Sequence, residues 1–136
     1  RNLAAPQSVA CYGDSHTEGI YGGSWVPDLE AAIGCRCENY GVNAESVAAI
    51  TRRAESSPST EAAVVLGGTN DALMELAALS GNQAMLRFYR ARNGLPADYD
   101  PSVDTFAEAF ERLLQVVPAR RLFVLSIPPL GEALNG

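Results

Sequence analysis

Ala62-Ala63-Val64-Val65-Leu66-Gly67-Gly68-Thr69-Asn70-Asp71 is the stretch on which the fold turns. Five apolar residues with no polar interruption, stopped by two glycines, read as a short strand buried on both faces. A helical pattern follows at once from Asp71 to Ala78, with Leu73, Leu76 and Ala77 on one side. Working backward, Ser8-Val9-Ala10-Cys11-Tyr12 reads as a first strand stopped at Gly13, and Cys35 to Tyr40 as a second ending in Gly41. Between them, Trp25 to Gly34 reads as a helix with Ser24 at or near its N-cap, Pro27 in its first turn and Gly34 at its end. Its apolar positions Val26, Leu29, Ala32 and Ile33 are expected to face a core. A second helix runs from near Glu45 through Val47, Ile50 and Ala54 to the break at Ser56-Ser57-Pro58.

Working forward, residues 82–92 suit another helix ahead of a turn-rich segment from Asn93 to Ser102. Thr105 and Glu108 have capping-box spacing. Phe106, Phe110, Leu113, Leu114 and Val117 then make an amphipathic helix closed by Pro118. A fourth strand is expected at Leu122 to Ile127, ended by Pro128-Pro129. Apolar strands alternating with helices predict a parallel sheet covered on both faces, an α/β three-layer sandwich. At 136 residues the chain is one domain long.

Composition narrows the chemistry. The net charge of −6 argues against nucleic-acid backbones and anionic membranes as partners, and no apolar run approaches the length of a membrane span. All ten basic residues are arginine, which removes the phosphate-loop lysine, the Schiff-base lysine and the kinase lysine. Cys11, Cys35 and Cys37 are too few for a disulfide framework, and with His16 as the one histidine no metal site is expected.

Ligands in parallel sheets of this kind sit beyond the carboxyl ends of the strands. Those ends carry Gly13-Asp14-Ser15, Gly41-Val42-Asn43, Gly68-Thr69-Asn70-Asp71 and Pro128-Pro129, so every polar or Gly-rich turn falls on one edge. Ser15 there would be exposed beside backbone N–H groups able to hold an oxyanion, although Asp14 or Ser15 would equally cap a turn. Asn70 offers a carboxamide donor at the equivalent point of the third strand. A plain helix cap by Asn70 and Asp71 is the competing reading.

These turns resemble the sequence blocks of the SGNH hydrolases, also called GDSL esterases and lipases. Gly13, Asp14, Ser15 and Gly19 are similar to the family's Gly-Asp-Ser-x-x-x-Gly, and Gly68-Thr69-Asn70-Asp71 to its Gly-x-Asn-Asp. Asn39-Tyr40-Gly41-Val42-Asn43-Ala44-Glu45-Ser46 resembles the second block more loosely, and Trp25 and Pro27 resemble the helix after the nucleophile. The resemblance implies a flavodoxin-like sheet of about five parallel strands, with no cofactor. It implies a serine esterase whose substrate is a small-molecule ester of an acyl or acetyl group. Ser15 would be the nucleophile, and the Ser15 N–H, the Ala44 N–H and the Asn70 side chain would form the oxyanion hole. The family usually has Gly at the second donor position; Gly41 is the fallback if the site demands a positive φ there. Asp71 would scaffold or cap rather than serve in a triad.

One block has no counterpart. The family's Asp-x-x-His, source of the general base, is absent from these 136 residues. His16 directly follows Ser15, and neighbours on a helical turn point about 100° apart. The expectation is therefore one SGNH-type domain over 1–136, interrupted after strand four, with a fifth strand and closing helix missing. Two rivals stand beside it: an inactive module that binds an acyl or carbohydrate ligand, and a subunit whose sheet a partner chain completes along strand four. The long stretch from Ser80 to Pro101 reads either as a lid or acyl-binding wall with arginines for an anionic substrate, or as a surface helix packed by its apolar stripe.

Overall fold

The structure, a computed structural model, describes residues 6–127. Four parallel strands, β1 (Ser8–Gly13), β2 (Arg36–Gly41), β3 (Thr60–Leu66) and β4 (Ala119–Val124), lie in the order β2-β1-β3-β4. Six helices connect them: α1 (Ser15–Glu18), α2 (Val26–Ile33), α3 (Val47–Glu55), α4 (Thr69–Leu79), α5 (Gln83–Arg92) and α6 (Val103–Val116). The two central strands are the most apolar, as burial on both faces requires. Val9 pairs with Cys37 on one side and Ala62 on the other, and Val64 pairs with Phe123.

Alternate strand residues feed two cores. Ala10, Tyr12, Ala63 and Val65 pack under α3 and α6, through Val47, Ile50, Ala54 and Leu113. Val9, Cys11, Ala62 and Val64 meet α2 through Val26, Trp25 and Leu29, with Cys35 and Cys37 alongside. A third cluster joins Met74 and Ala77 of α4 to Leu86 and Tyr89 of α5, around the methyl of Ala44.

Several expectations shift. The fourth strand occupies Ala119–Val124 rather than Leu122–Ile127, because pairing with β3 begins at Thr60–Ala119 and Glu61 takes the Arg121 guanidinium at 3.0 Å. Among the described residues β4 lies at the edge of the sheet, where such polar residues are tolerated. The cap of α6 is Ser102, whose Oγ accepts the Thr105 N–H, so the helix starts a turn earlier than the Thr105–Glu108 spacing suggests. Thr69 and not Asp71 opens α4, and its buried stripe is Met74 and Ala77 facing α5, which leaves Leu76 exposed. Leu114 is exposed as well, since α6 packs on α3 through Phe106, Phe110 and Leu113. Ala32 and Ile33 of α2 also stay exposed. The helix over 82–92 forms, capped by Asn82 Oδ1 on the Met85 N–H at 3.1 Å. The Pro128-Pro129 turn and everything expected after it lie outside the described residues.

Candidate active site

At the carboxyl end of β1 the chain turns into α1 with almost no clearance. A Cβ on Gly13 would sit 2.0 Å from Thr17 Oγ1 and 2.6 Å from the Leu66 carbonyl oxygen. One on Gly41, at the end of β2, would sit 2.1 Å from the Glu18 nitrogen. Both glycines are therefore fixed by the approach of α1 to the strand ends. Asp14 caps α1: its Oδ1 accepts the His16 N–H at 3.0 Å. The carboxylate is 1% exposed, its Oδ2 has no partner among the described residues, and burial raises its pKa. Ser15 follows at the first helical position, half-buried. Its N–H has no acceptor within the helix, as is general for that position, and its hydroxyl makes no hydrogen bond among the described residues.

The segment Val42 to Ser46 is tied to its surroundings at nearly every residue. The Val42 N–H donates to the Gly13 carbonyl at 3.0 Å, and the Asn43 N–H to Glu18 Oε2 at 2.5 Å. The Glu45 carboxylate takes the Arg53 guanidinium at 2.7–3.0 Å, and the same arginine donates to the Tyr40 carbonyl. Ala44 is the one non-glycine residue with positive φ among those described, at 62°. Its methyl is buried against α4 and α5, and its N–H has no partner among the described residues. The Gly41 N–H, by contrast, is taken by Asn39 Oδ1 at 2.8 Å.

Asn70 and Asp71 occupy the first turn of α4, whose N-cap is Gly68 with no side-chain capping bond. Neither residue is the N-cap of α4. Both reach across to the segment after β2: Asn70 Nδ2 donates to the Glu45 carbonyl at 2.9 Å, and Asp71 Oδ2 accepts the Val47 N–H at 2.9 Å. The second Asn70 N–H is left without a partner among the described residues. Burial pushes the Asp71 carboxyl up to about 6, against the opposing pull of the Val47 N–H.

The ends of β1, β2 and β3 thus bring Ser15, Ala44 and Asn70 to one edge. The ring of His16 makes no hydrogen bond or ion pair among the described residues. Cys11 offers no rival nucleophile: it lies inside the α2-side core, and burial pushes its thiol up to about 12. A pocket of about 110 Å³ opens between the N-termini of α4 and α6, with Asp71, Met74, Tyr99, Val103, Phe106 and Ile127 in its walls.

Sequence reading missed two contributors. Glu18 receives the Asn43 N–H, and nothing local marks it out. Asn93, at the end of α5, is 2% exposed and bonds into the same segment. The Arg-Asn-Gly context shows only a helix end. Of the arginines around it, Arg90 donates to the Tyr99 carbonyl, and Arg87 and Arg92 lie exposed. Leu86 and Tyr89 are buried against α4, so this stretch packs by its apolar stripe.

No family model and no curated protein sequence matches the chain. Solved structures do. A candidate lipolytic protein of the G-D-S-L family from Desulfitobacterium hafniense superposes with a TM-score of 0.65 at 16% identity, over 92% of this chain and 62% of its own. A candidate lipase from Chitinophaga pinensis gives 0.50 at 14% identity, over 86% of this chain and 47% of its own. AlinE4, an SGNH-hydrolase family esterase, gives 0.46 at 23% identity, over 88% and 77%. The chain therefore spans less than two thirds of the Desulfitobacterium and Chitinophaga proteins. Its four-stranded parallel α/β architecture is the fold of the GDSL/SGNH hydrolases.

Proposed function

We propose that this chain carries the nucleophile and oxyanion hole of a serine esterase acting on small acyl esters. The observation that carries the reading is the behaviour of Asn70. It sits where a helix cap is expected, yet one amide hydrogen anchors the Glu45 carbonyl and the other is left over, beside an Ala44 N–H that is also unpartnered among the described residues. Donors held in place with nothing to donate to are what a developing oxyanion needs, because they cost no reorganisation during reaction.

In this scheme Ser15 Oγ attacks the ester carbonyl carbon as its proton passes to a base. The carbonyl oxygen gathers negative charge and accepts from the Ser15 N–H, the Ala44 N–H and Asn70 Nδ2. The C–O bond to the alcohol then breaks, the alcohol leaves with the proton, and water releases the acyl group from Ser15 by the same route. The Ala44 N–H is the second donor in preference to Gly41, whose N–H is already engaged by Asn39. The pocket beside Asp71 and Met74 is lined by none of Ser15, Ala44 and Asn70, so the scheme does not assign the acyl group to it. His16 is the only histidine here and adjoins Ser15, so the scheme assigns the base to a histidine outside these 136 residues, in the same SGNH-type domain or on a partner chain. No cofactor enters.

The test, run with the segment or partner chain that supplies the base present, is fluorophosphonate labelling together with hydrolysis of p-nitrophenyl acetate. Ser15→Ala should abolish both, and Asn70→Ala should slow turnover by roughly 10²-fold. Labelling that survives Ser15→Ala overturns the nucleophile. An unmutated protein that binds acyl ligands but neither labels nor turns over favours the rival reading, a binding module built on the same strand-end turns.

A further inference from the structure

The segment that presents the Ala44 N–H must hold an alanine in the left-handed region, where its Cβ crowds the backbone and where glycine is the usual residue. Something must over-determine that conformation. Asn39, Glu18, Asn70 and Asp71 tie down the flanks, but only one side chain among the described residues bonds on both sides of the Ala44–Glu45–Ser46 turn. Asn93 Nδ2 donates to the Ala44 carbonyl at 3.0 Å, and Asn93 Oδ1 accepts the Ser46 N–H at 2.7 Å. Its remaining amide hydrogen goes to the Tyr89 carbonyl at 2.8 Å, which locks the side chain to its own helix. The Arg52 guanidinium in turn holds the Asn93 carbonyl. Both polar atoms of the carboxamide are used, the residue is buried, and none of its bonds reaches solvent.

We infer that Asn93 is a positioning residue for the oxyanion hole: it fixes the Ala44 carbonyl and the Ser46 N–H, and through the backbone torsions of Ala44 the direction of the Ala44 N–H one peptide before, from a helix outside the strand-end turns. The inference rests on the esterase reading for what that N–H does, but the clamp itself is independent of it. Asparagine is suited to the task, since a carboxamide both donates and accepts across one turn. Aspartate loses both donations when ionised and brings a charge against two carbonyl oxygens. Once protonated, it regains one donor while keeping the acceptor for Ser46.

The experiment compares Asn93→Ala and Asn93→Asp with the unmutated protein, each read by amide hydrogen exchange and by p-nitrophenyl acetate kinetics. Asn93→Ala should speed exchange at Ser46 by at least about tenfold while the β1 and β3 amides keep their protection. It should lower kcat about 10–100-fold, with KM within a factor of about three. Asn93→Asp, whose ionised carboxylate still accepts the Ser46 N–H but repels the Ala44 and Tyr89 carbonyls, should lose part of the Ser46 protection at about pH 8 and regain it, relative to the unmutated protein at the same pH, as the pH falls, a profile that lost packing alone would not produce. Unchanged exchange at Ser46 overturns the clamp. Fast exchange with unchanged kcat overturns the positioning role. If the unmutated protein hydrolyses nothing with the base-bearing segment or chain present, the esterase reading has failed, and Ser46 exchange with its pH profile still decides whether Asn93 is the clamp. If Asn93→Ala does not fold, Asn93→Asp at low against high pH carries the comparison alone.

Discussion

On the side of the sheet under α3 and α6, Val47, Ile50 and Leu113 are wholly enclosed. On the other side α2 covers only part of the sheet, and Phe123 and Leu125 keep 55% and 42% of their surface exposed. A groove of about 390 Å³ runs there between Val9, Leu29, Ile33, Val64, Phe123 and Leu125. The strands contribute similar residues to both sides, so the difference lies in the helices. It matters for the site, because the segment with Ala44 runs directly into α3 and Asp71 bonds the first turn of that helix. The strand-end constellation is anchored to the enclosed side.

That contrast predicts unequal responses. Leu113→Ala should cost about 2–5 kcal/mol in denaturant unfolding, the range for a large-to-small change in a closed core. Leu29→Ala, half-buried beside the groove, should cost clearly less; equal costs would break the comparison. Asp71→Asn comes next. The Asp71 carboxyl titrates near 6 folded against an ordinary 3.8, so the folded state binds its proton more tightly than the unfolded state. Its contribution to stability is therefore greatest at low pH and is lost as pH rises from about 4 through 6. A carboxamide in its place would keep an acceptor for the Val47 N–H with no charge to bury. The variant should be more stable at about pH 8, by up to about 3 kcal/mol, and should flatten the pH dependence between about 4 and 6. A variant less stable at that pH would mean that the charged carboxylate, and not merely an acceptor, holds α3. The smallest effect belongs to Phe123→Ser, which should shift stability by no more than about 0.5 kcal/mol, as expected for a residue already facing water. A larger loss would show that the groove side is closed in solution.

The same contrast explains what could be read from the chain. Ala62–Leu66 with its Gly-Gly end was legible because a strand buried on both sides writes an unbroken apolar run. The three strand-end turns were legible because Gly and short polar residues have few other reasons to sit there. The start of β4 was not: Ala119-Arg120-Arg121 looks like surface, and it pairs only because Thr60 and Glu61 lie opposite. The apolar run through Ile127 continues past the pairing, so hydrophobicity marked the wrong end. For α2 and α4, helical period identified a stripe but not how much of it finds cover, which left Ile33 and Leu76 exposed. Asn70 and Asp71 were visible as types, but their partners, Glu45 and Val47, lie some 25 residues back. Asn93 was beyond reach, since its bonds to Ala44 and Ser46 span nearly fifty residues and a helix-terminal asparagine normally caps its own helix.

The order β2-β1-β3-β4 has a kinetic meaning. β1 meets β3 across about fifty intervening residues, and β3 meets β4 across a similar distance. Such parallel pairings close long loops before they gain any contact, which slows folding. The turns at Ser15 and Asn70 become neighbours only when β1 and β3 have joined. During refolding, α-helical signal should therefore appear well before protection of the β1 and β3 amides, and the lag between the two would time the zipping of the central strands.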